Sequence, residues 1–308
     1  MVKQWRVALP IVAIAIMVLI SACGSGGSNS GTSTPPAGSS LGTPGSYTCV
    51  QGSITAAGST ALAPLVQKVA QAYQAKCSGA SITVNLGGSG TGLTNAEKGT
   101  IDVGDSDIFA TSAQPDLLDH QVSVVIFSLI VNSQVAGVTN LTADQLKGIY
   151  SGATTNWKQV GGPDLPIVVV SRPTSSGTRA TFQKYVLGTV ETVAGPQDLT
   201  TDSTGTVVKN VQQTAGAIGY VALSAAKGSK LTILNIDGNS PTADMVKNNT
   251  YKFWNIEHMY TKGKPKDLAQ ALIDYMLSPD GKTAAQSLDF VAITDMQPAA
   301  LQAHQPTS

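Results

Sequence analysis

The chain has 308 residues, with 19 Lys and Arg against 19 Asp and Glu, and only 12% of its residues are charged. A balanced charge excludes nucleic-acid binding built on basic excess, and there is no acidic tail to suggest a scaffold. The 42% hydrophobic content suffices for one large or two medium domains with their own cores.

The N-terminus reads as an export signal. "MVKQWR" carries Lys3 and Arg6. "VALPIVAIAIMVLI" follows, about 14 apolar residues against the roughly 20 that a spanning helix needs. "ISAC", Ile20 to Cys23, resembles a bacterial lipobox, where cleavage precedes a cysteine that then carries lipid. The expectation is a lipoprotein signal peptide at residues 1–22, lipidation at Cys23 and an extracytoplasmic body tethered to the membrane. Residues 23–46 hold no charge and Leu41 as their one large apolar residue, so they read as a flexible Gly/Ser/Thr/Pro linker. Its mean reach is on the order of 25 Å. Cys49 and Cys77 then flank the first strand and helix. In an oxidising compartment they are a disulfide candidate, the other reading being two separate buried thiols. A bridge closing a loop of this size stabilises by roughly 3 kcal/mol.

"SITAAGS" reads as a short strand ending at a glycine turn. In "TALAPLVQKVAQAYQAK", Leu62, Leu65, Val66, Val69, Ala70 and Tyr73 share one helix face. Ser59 or Thr60 is the expected cap, with Pro64 tolerated in the first turn. "SITVNL" is a strand, "LTNAEKG" a helix and "IDVGDSDI" a strand. "VSVVIFSLIVN" suits a strand buried on both faces. "LTADQLKGIY" is a helix whose capping box joins Thr142 and Gln145. "LPIVVVSR" is a strand that leads to the helix "TRATFQKYVL". "TAGAIGYVAL" and "LTILNI" are later strands. "PKDLAQALIDYML" is a helix with Leu268, Ala271, Leu272, Tyr275 and Met276 on one side. Alternation of strand and helix predicts an α/β class with mainly parallel sheets.

Three strand-to-helix turns share one chemistry: "GSTA" at 58–61, "GGSGTG" at 87–92 and "SSGT" at 175–178. Each points first-turn N–H groups and hydroxyls out of a helix N-terminus, which favours an anion. Such turns lie at the C-terminal ends of strands, where ligands of open α/β sheets bind. Arg172, just ahead of the third turn, adds a full charge in a planar fork. The pattern predicts an oxyanion between Arg172 and the helix start. "GGSGTGLT" lacks the ending of a P-loop and misses G-x-G-x-x-G. Ser89 and Ser176 are outside G-x-S-x-G. His120, His258 and His304 sit in no triad context, His304 in a polar tail, and no cluster has metal-ligand spacing. "DVGDSD" holds Asp102, Asp105 and Asp107. An aspartate beside an anion site makes sense only if the anion carries a proton, as phosphate does and sulfate does not.

With these stretches in hand, the chain resembles the phosphate-binding component of the bacterial high-affinity phosphate ABC importer, in its lipoprotein form. "GSTALAPLV", "GGSGTGL", "IDVGDSDIF", "LTADQLKGIYSGATTNW", "SRPTSSGTRATF" and "GAIGY" follow that family's pattern in order, from about Ser53 to Met296. The resemblance implies a type II periplasmic-binding-protein fold, with residues 47–130 plus 251–308 as one lobe and 131–250 as the other. The crossings would fall near Leu129–Asn132 and Tyr251, and hinge motion would close the cleft. Carried over residue by residue, it implies phosphate contacts from Thr60, Ala61, Ser89, Asp107, Arg172, Ser176, Gly177 and Thr178. Asp107 would accept the proton of the phosphate, and Arg179 would orient Asp107 or neighbour the anion. The implied partners are inorganic phosphate, the permease subunits and, through Cys23, the membrane. No catalysis, cofactor, metal or nucleic acid is implied, and a monomer is expected. The rival readings are a binder of another tetrahedral oxyanion (sulfate or molybdate), a secreted hydrolase or phosphatase, and an adhesin or sensor that has lost transport.

Overall fold

The computed structural model describes residues 47–192 and 195–306. The signal segment, Cys23 and the linker lie outside the described residues. The chain order is β1 (Gly52–Gly58), α1 (Ala63–Lys76), β2 (Ala80–Leu86), α2 (Ser89–Glu97), β3 (Val103–Ser106), β4 (Leu117–Val131), β5 (Asn140–Leu141) and α3 (Ala143–Tyr150). Then come β6 (Val168–Ser171), α4 (Gly177–Phe182), β7 (Leu199–Thr200), α5 (Thr204–Gln213), β8 (Ala217–Ala222), α6 (Leu223–Ser229) and β9 (Thr232–Ile236). The chain ends with α7 (Ala243–Lys247), β10 (Trp254–Lys262), α8 (Asp267–Leu277), α9 (Pro279–Gln286) and α10 (Pro298–Ala303).

The sheet runs β2-β1-β3-β10-β4-β8-β6-β7, and β9 also pairs with β4 and with β5. Its two ends are parallel, as the strand–helix alternation predicts: β1 with β2 and β3, β6 with β7 and β8. Its middle is not. β10 is antiparallel to β3 and β4, and β4 is antiparallel to β8 and β9. The expectation of mainly parallel pairing therefore fails at the centre. The cause is β10, which returns from late in the chain and enters between β3 and β4, so no helical crossover sets its direction. The apolar run around Val125 extends into a strand of 15 residues. β4 faces β10 from Leu117 to Ile126 and β8 from Phe127 to Val131. At this change of partner Phe127 N–H donates to the Phe253 carbonyl at 3.0 Å, and Tyr251 OH donates to the Phe127 carbonyl at 2.9 Å. Phe127, Phe253, Phe182 and Tyr220 pack there ring against ring.

α1 buries Leu65, Val66, Val69, Ala70 and Tyr73, the face read from the spacing. The capping box at Thr142 is present in both directions. α8 buries its predicted face. His304 departs from the reading of a polar tail. It is buried and stacks between the rings of Trp254 at 3.5 Å and Tyr185 at 3.8 Å. α10 turns the tail back so that a ring of this size covers Trp254, and burial holds the imidazole neutral, down to about 3.

Cys49 and Cys77 are joined, with Cα atoms 5.1 Å apart and a sequence separation of 28. The bond ties the segment before β1 to the end of α1, beside the edge-on rings of Tyr47, Tyr73 and Tyr275. Replacing both cysteines by serine should lower unfolding free energy by about 3 kcal/mol. Denaturant titration of the oxidised wild type and the double variant checks this, and a difference under about 1 kcal/mol would count against it.

Candidate functional site

The first turn leaves β1 at Gly58, whose φ of +144° only glycine adopts freely and whose missing Cβ would strike the Asp105 backbone. Ser59 follows. It does not cap α1 in the usual way, because the helix begins at Ala63 with Leu62 at the cap position. Its Oγ instead accepts from Ala61 N–H at 3.1 Å and Leu62 N–H at 3.0 Å, and donates to Asp107 Oδ1. The Ala61 amide, expected to face an anion, is thus turned to Ser59. Thr60 Oγ1 accepts from Arg172 Nη2 at 3.3 Å and from Thr204 N–H at 3.2 Å, and lies 3.0 Å from Thr204 Oγ1.

Asp107 follows β3 and is 2% exposed. Ser59 holds one carboxylate oxygen and Thr178 Oγ1 donates to the other at 3.1 Å. Its N–H donates to Ser89 Oγ at 3.0 Å, and its carbonyl accepts from Asn255 Nδ2 at 2.7 Å. Burial pushes the carboxyl above the usual range, against the pull of Ser59, Thr178 and Arg172 toward the anion.

Arg172 ends β6 and is 1% exposed. Nε donates to the Thr201 carbonyl and Nη2 to the Asp202 carbonyl, both at 3.0 Å. Nη1 is buried with no hydrogen-bond partner among the described residues. Burial lowers its pKa, and Asp107 opposes that. Arg179, expected to orient Asp107 or to neighbour the anion, makes no hydrogen bond to Asp107. Its Nη1 donates to the Arg172 carbonyl at 2.7 Å, and its Nε lies 2.7 Å from Glu191 Oε1. Glu191 also accepts from Ser171 and Tyr220. Arg179 therefore braces the backbone that carries Arg172. Ser176 Oγ caps α4 by accepting from Arg179 N–H at 3.3 Å.

The three turns meet. Gly90 N–H donates to the Ser175 carbonyl at 2.9 Å. Gly177 packs so closely that a Cβ would lie 2.8 Å from that of Asp107 and run into Ser89 Oγ. Thr60, Ala61, Ser89, Asp107, Arg172, Ser176, Gly177 and Thr178 are thus buried in one place, brought from β1, β2, β3 and β6. The arrangement gathers a cationic donor, hydroxyls, first-turn amides and a carboxylate acceptor in one place.

A family model described as a PBP superfamily domain matches residues 43–280. The chain is 38% identical over 300 residues to a phosphate-binding protein PstS of Bacillus subtilis, covering 96% of each chain. It belongs to the PstS family. A Clostridium perfringens protein assigned as a phosphate ABC transporter substrate-binding protein, crystallised with phosphate, is 30% identical with a TM-score of 0.74, across 79% of this chain and 100% of that one. An ABC-type phosphate transport receptor of Vibrio cholerae is 28% identical with a TM-score of 0.63, across 77% and 99%. The fold is the type II periplasmic-binding-protein fold.

In this PstS-family chain several site neighbours escaped the reading of the sequence. Thr204 and the carbonyls of Thr201 and Asp202 come from the start of α5, where no motif marks them. Glu191 lies in a loop after α4, and Asn255 and Glu257 sit in "WNIEHMY", which reads as an ordinary buried strand. A lone acid in such a strand was the one signal available. Asp102, grouped with Asp105 and Asp107 in sequence, faces outward to Lys266 at 2.5 Å.

Asp105 is fully buried, and neither oxygen has a hydrogen-bond partner. Burial, and then Asp107, push its carboxyl from 3.8 up to about 8. Between those values the unfolded chain has released a proton that the folded chain keeps. This contribution to stability is complete below the unfolded value and is lost as pH rises toward about 8, at no more than about 1.4 kcal/mol per pH unit. Asp105→Asn should remove that slope, so its stability relative to wild type should increase with pH across the window. Parallel denaturation curves for the two proteins at every pH would overturn the assignment.

Proposed function

We propose that this chain captures inorganic phosphate outside the cytoplasm and delivers it to the permease of an ABC importer. The observation that carries the reading is the pairing of one buried, unpartnered cationic donor, Arg172 Nη1, with one buried acceptor carboxylate, Asp107, in the same set of turns. An oxyanion bearing a proton satisfies both at once. On this reading Arg172 Nη1, the hydroxyls of Thr60, Ser89 and Ser176 and the amides around Gly177 donate to the anion and Asp107 accepts its proton, while the Ala61 amide and the Thr178 hydroxyl, which here donate to Ser59 and Asp107, turn to the anion when it binds. The phosphate named for the Bacillus, Clostridium and Vibrio relatives supports the same ligand. Residues 47–130 with 251–308 form one lobe and 131–250 the other, crossing where β4 changes partner, and the site lies where they meet. The relatives are named as binding and transport proteins, and the function is capture and release without turnover.

Calorimetry of the stripped protein tests the ligand. Sulfate should bind at least about a hundredfold more weakly than phosphate, because it leaves Asp107 facing a bare lone pair. Equal affinity for the two would overturn the phosphate reading. Arg172→Ala should cost about 3–5 kcal/mol, or roughly two to four decades in affinity, and Arg172→Lys should not fully recover it, since the planar fork is lost. Little change in Arg172→Ala would put the anion elsewhere.

The lipid anchor at Cys23 belongs to the same proposal. It rests on "ISAC" after a short apolar core, and it holds the body near its permease. Metabolic labelling with a fatty-acid analogue should mark the wild type and not Cys23→Ser. Equal labelling would reject the anchor.

A further inference from the structure

Glu257 is the buried acid that the phosphate reading leaves unexplained. The antiparallel register pairs Met259 with Asp105 and His258 with Ser106. Continued one step, it sets Glu257 across from Asp107. Two residues further along β10, the Asn255 side chain holds the Asp107 carbonyl at 2.7 Å. Asp105, Asp107 and Glu257 therefore share one face of two adjacent strands. Glu257 is 0% exposed, and neither of its oxygens accepts a hydrogen bond. The β10–β4 register is irregular between Glu257 and His258, the kind of local break that re-aims a side chain.

The charged and titratable groups around this face are few. Asp105 stands on β3 and Asp107 directly after it. Arg172 acts on Asp107 from across the site. His258 turns its Nδ1 to Asp119, 2.7 Å away. Like charges directly opposite each other on neighbouring strands repel, and a dry site magnifies that. An ionised carboxylate with no donor neutralises before it is buried. Asp107 is the member with donors, Ser59 and Thr178, and with Arg172 opposite. It is the natural holder of the negative charge. Glu257 is left as an acid with a proton to give.

We propose that Glu257 is a positioning residue of the anion site: it stands as a neutral carboxylic acid, donates its hydrogen bond to Asp107, and so keeps Asp107 the charged acceptor that selects a protonated oxyanion. Burial, reinforced by Asp107, pushes Glu257 well above the carboxylate range, in line with this geometry. Glu257 touches no ligand. It acts by stabilising the charged form and the rotamer of Asp107. Without it, Asp107 takes up a proton more readily, and a protonated Asp107 can donate to an anion that has no proton of its own.

The proposal rests on the phosphate reading for its consequence but not for its first test. Infrared difference spectra of wild type and Glu257→Gln at neutral pH should show one protonated carboxylic-acid carbonyl band more in wild type, beyond that of Asp105, which is common to both and cancels. A wild-type protein without that extra band would overturn the proposal. Calorimetry supplies the second test. Glu257→Leu should weaken phosphate binding by at least about tenfold and narrow the ratio of phosphate to sulfate affinity. Glu257→Gln, which keeps a neutral donor, should recover most of both losses. A Glu257→Leu protein with wild-type affinity and wild-type ratio would sink the idea. If Glu257→Leu does not fold, the infrared comparison decides. If wild type binds no phosphate in the same titrations, the ligand reading fails while the infrared result still reports on Glu257.

Discussion

A guanidinium buried away from water is the constraint on which the rest of this structure depends. Arg172 is almost fully covered, and taking such a charge out of water costs several kcal/mol unless its donors are met. The fold meets Nε and Nη2 with the carbonyls of Thr201 and Asp202, which are dipoles and not charges. A carboxylate there would cancel the cation and occupy the place of a ligand. Glu191, a buried carboxylate later in the same segment, is engaged by Arg179, Ser171 and Tyr220. Two arginines seven residues apart in one segment thus have opposite electrostatic fates. Arg179 is neutralised by its partner, whereas Arg172 keeps one donor unmatched and its charge free to act on an anion.

The backbone follows from that requirement. An anion-complementing site needs donors without their own counter-charges, and strand-to-helix turns are where a chain supplies them. Bringing three turns together demands close approach, and this is where glycine is indispensable. Gly58 provides the conformation at the exit of β1, and Gly177 provides the clearance against Ser89 and Asp107. The antiparallel centre of the sheet serves the same end. β10 lies between β3 and β4, and Asn255 on it holds the Asp107 carbonyl, a position no local βαβ unit would fill. The sheet that carries the core also carries the second layer of the site.

How much of this was legible in the sequence depends on the range of each interaction. The capping box at Thr142, the face of α1 and the run that became β4 are local patterns, and each matches what formed. The eight residues assigned to the site by resemblance are brought together because each sits in a turn whose own chemistry marks it. The misses are all long-range. Arg179 was expected to orient Asp107 or to neighbour the anion, yet its partner Glu191 lies past the end of its own helix, where no spacing rule reaches. Ser59 or Thr60 was expected as a helix cap, and the proton of Ser59 goes to Asp107, 48 residues away. His304 was read as tail because its neighbours in sequence are polar, and burial came from Trp254 and Tyr185.

The acids show why composition alone could not settle the chemistry. "DVGDSD" presents three aspartates that look alike in sequence and differ in every physical respect in the fold. Asp102 leans out to a lysine. Asp105 is buried without a donor and keeps its proton. Asp107 is buried with donors and bears the acceptor role. Alternation along β3 puts Asp105 and Asp107 on the same face two residues apart, but what separates their protonation is supplied by other segments: Ser59, Thr178 and Arg172 around Asp107, and nothing comparable around Asp105. On the proposed reading, selectivity between two anions of equal shape comes from which carboxyl in a group of buried acids ionises. That choice is made by hydroxyls and a guanidinium gathered from distant parts of the chain, so it appears only once the chain is folded.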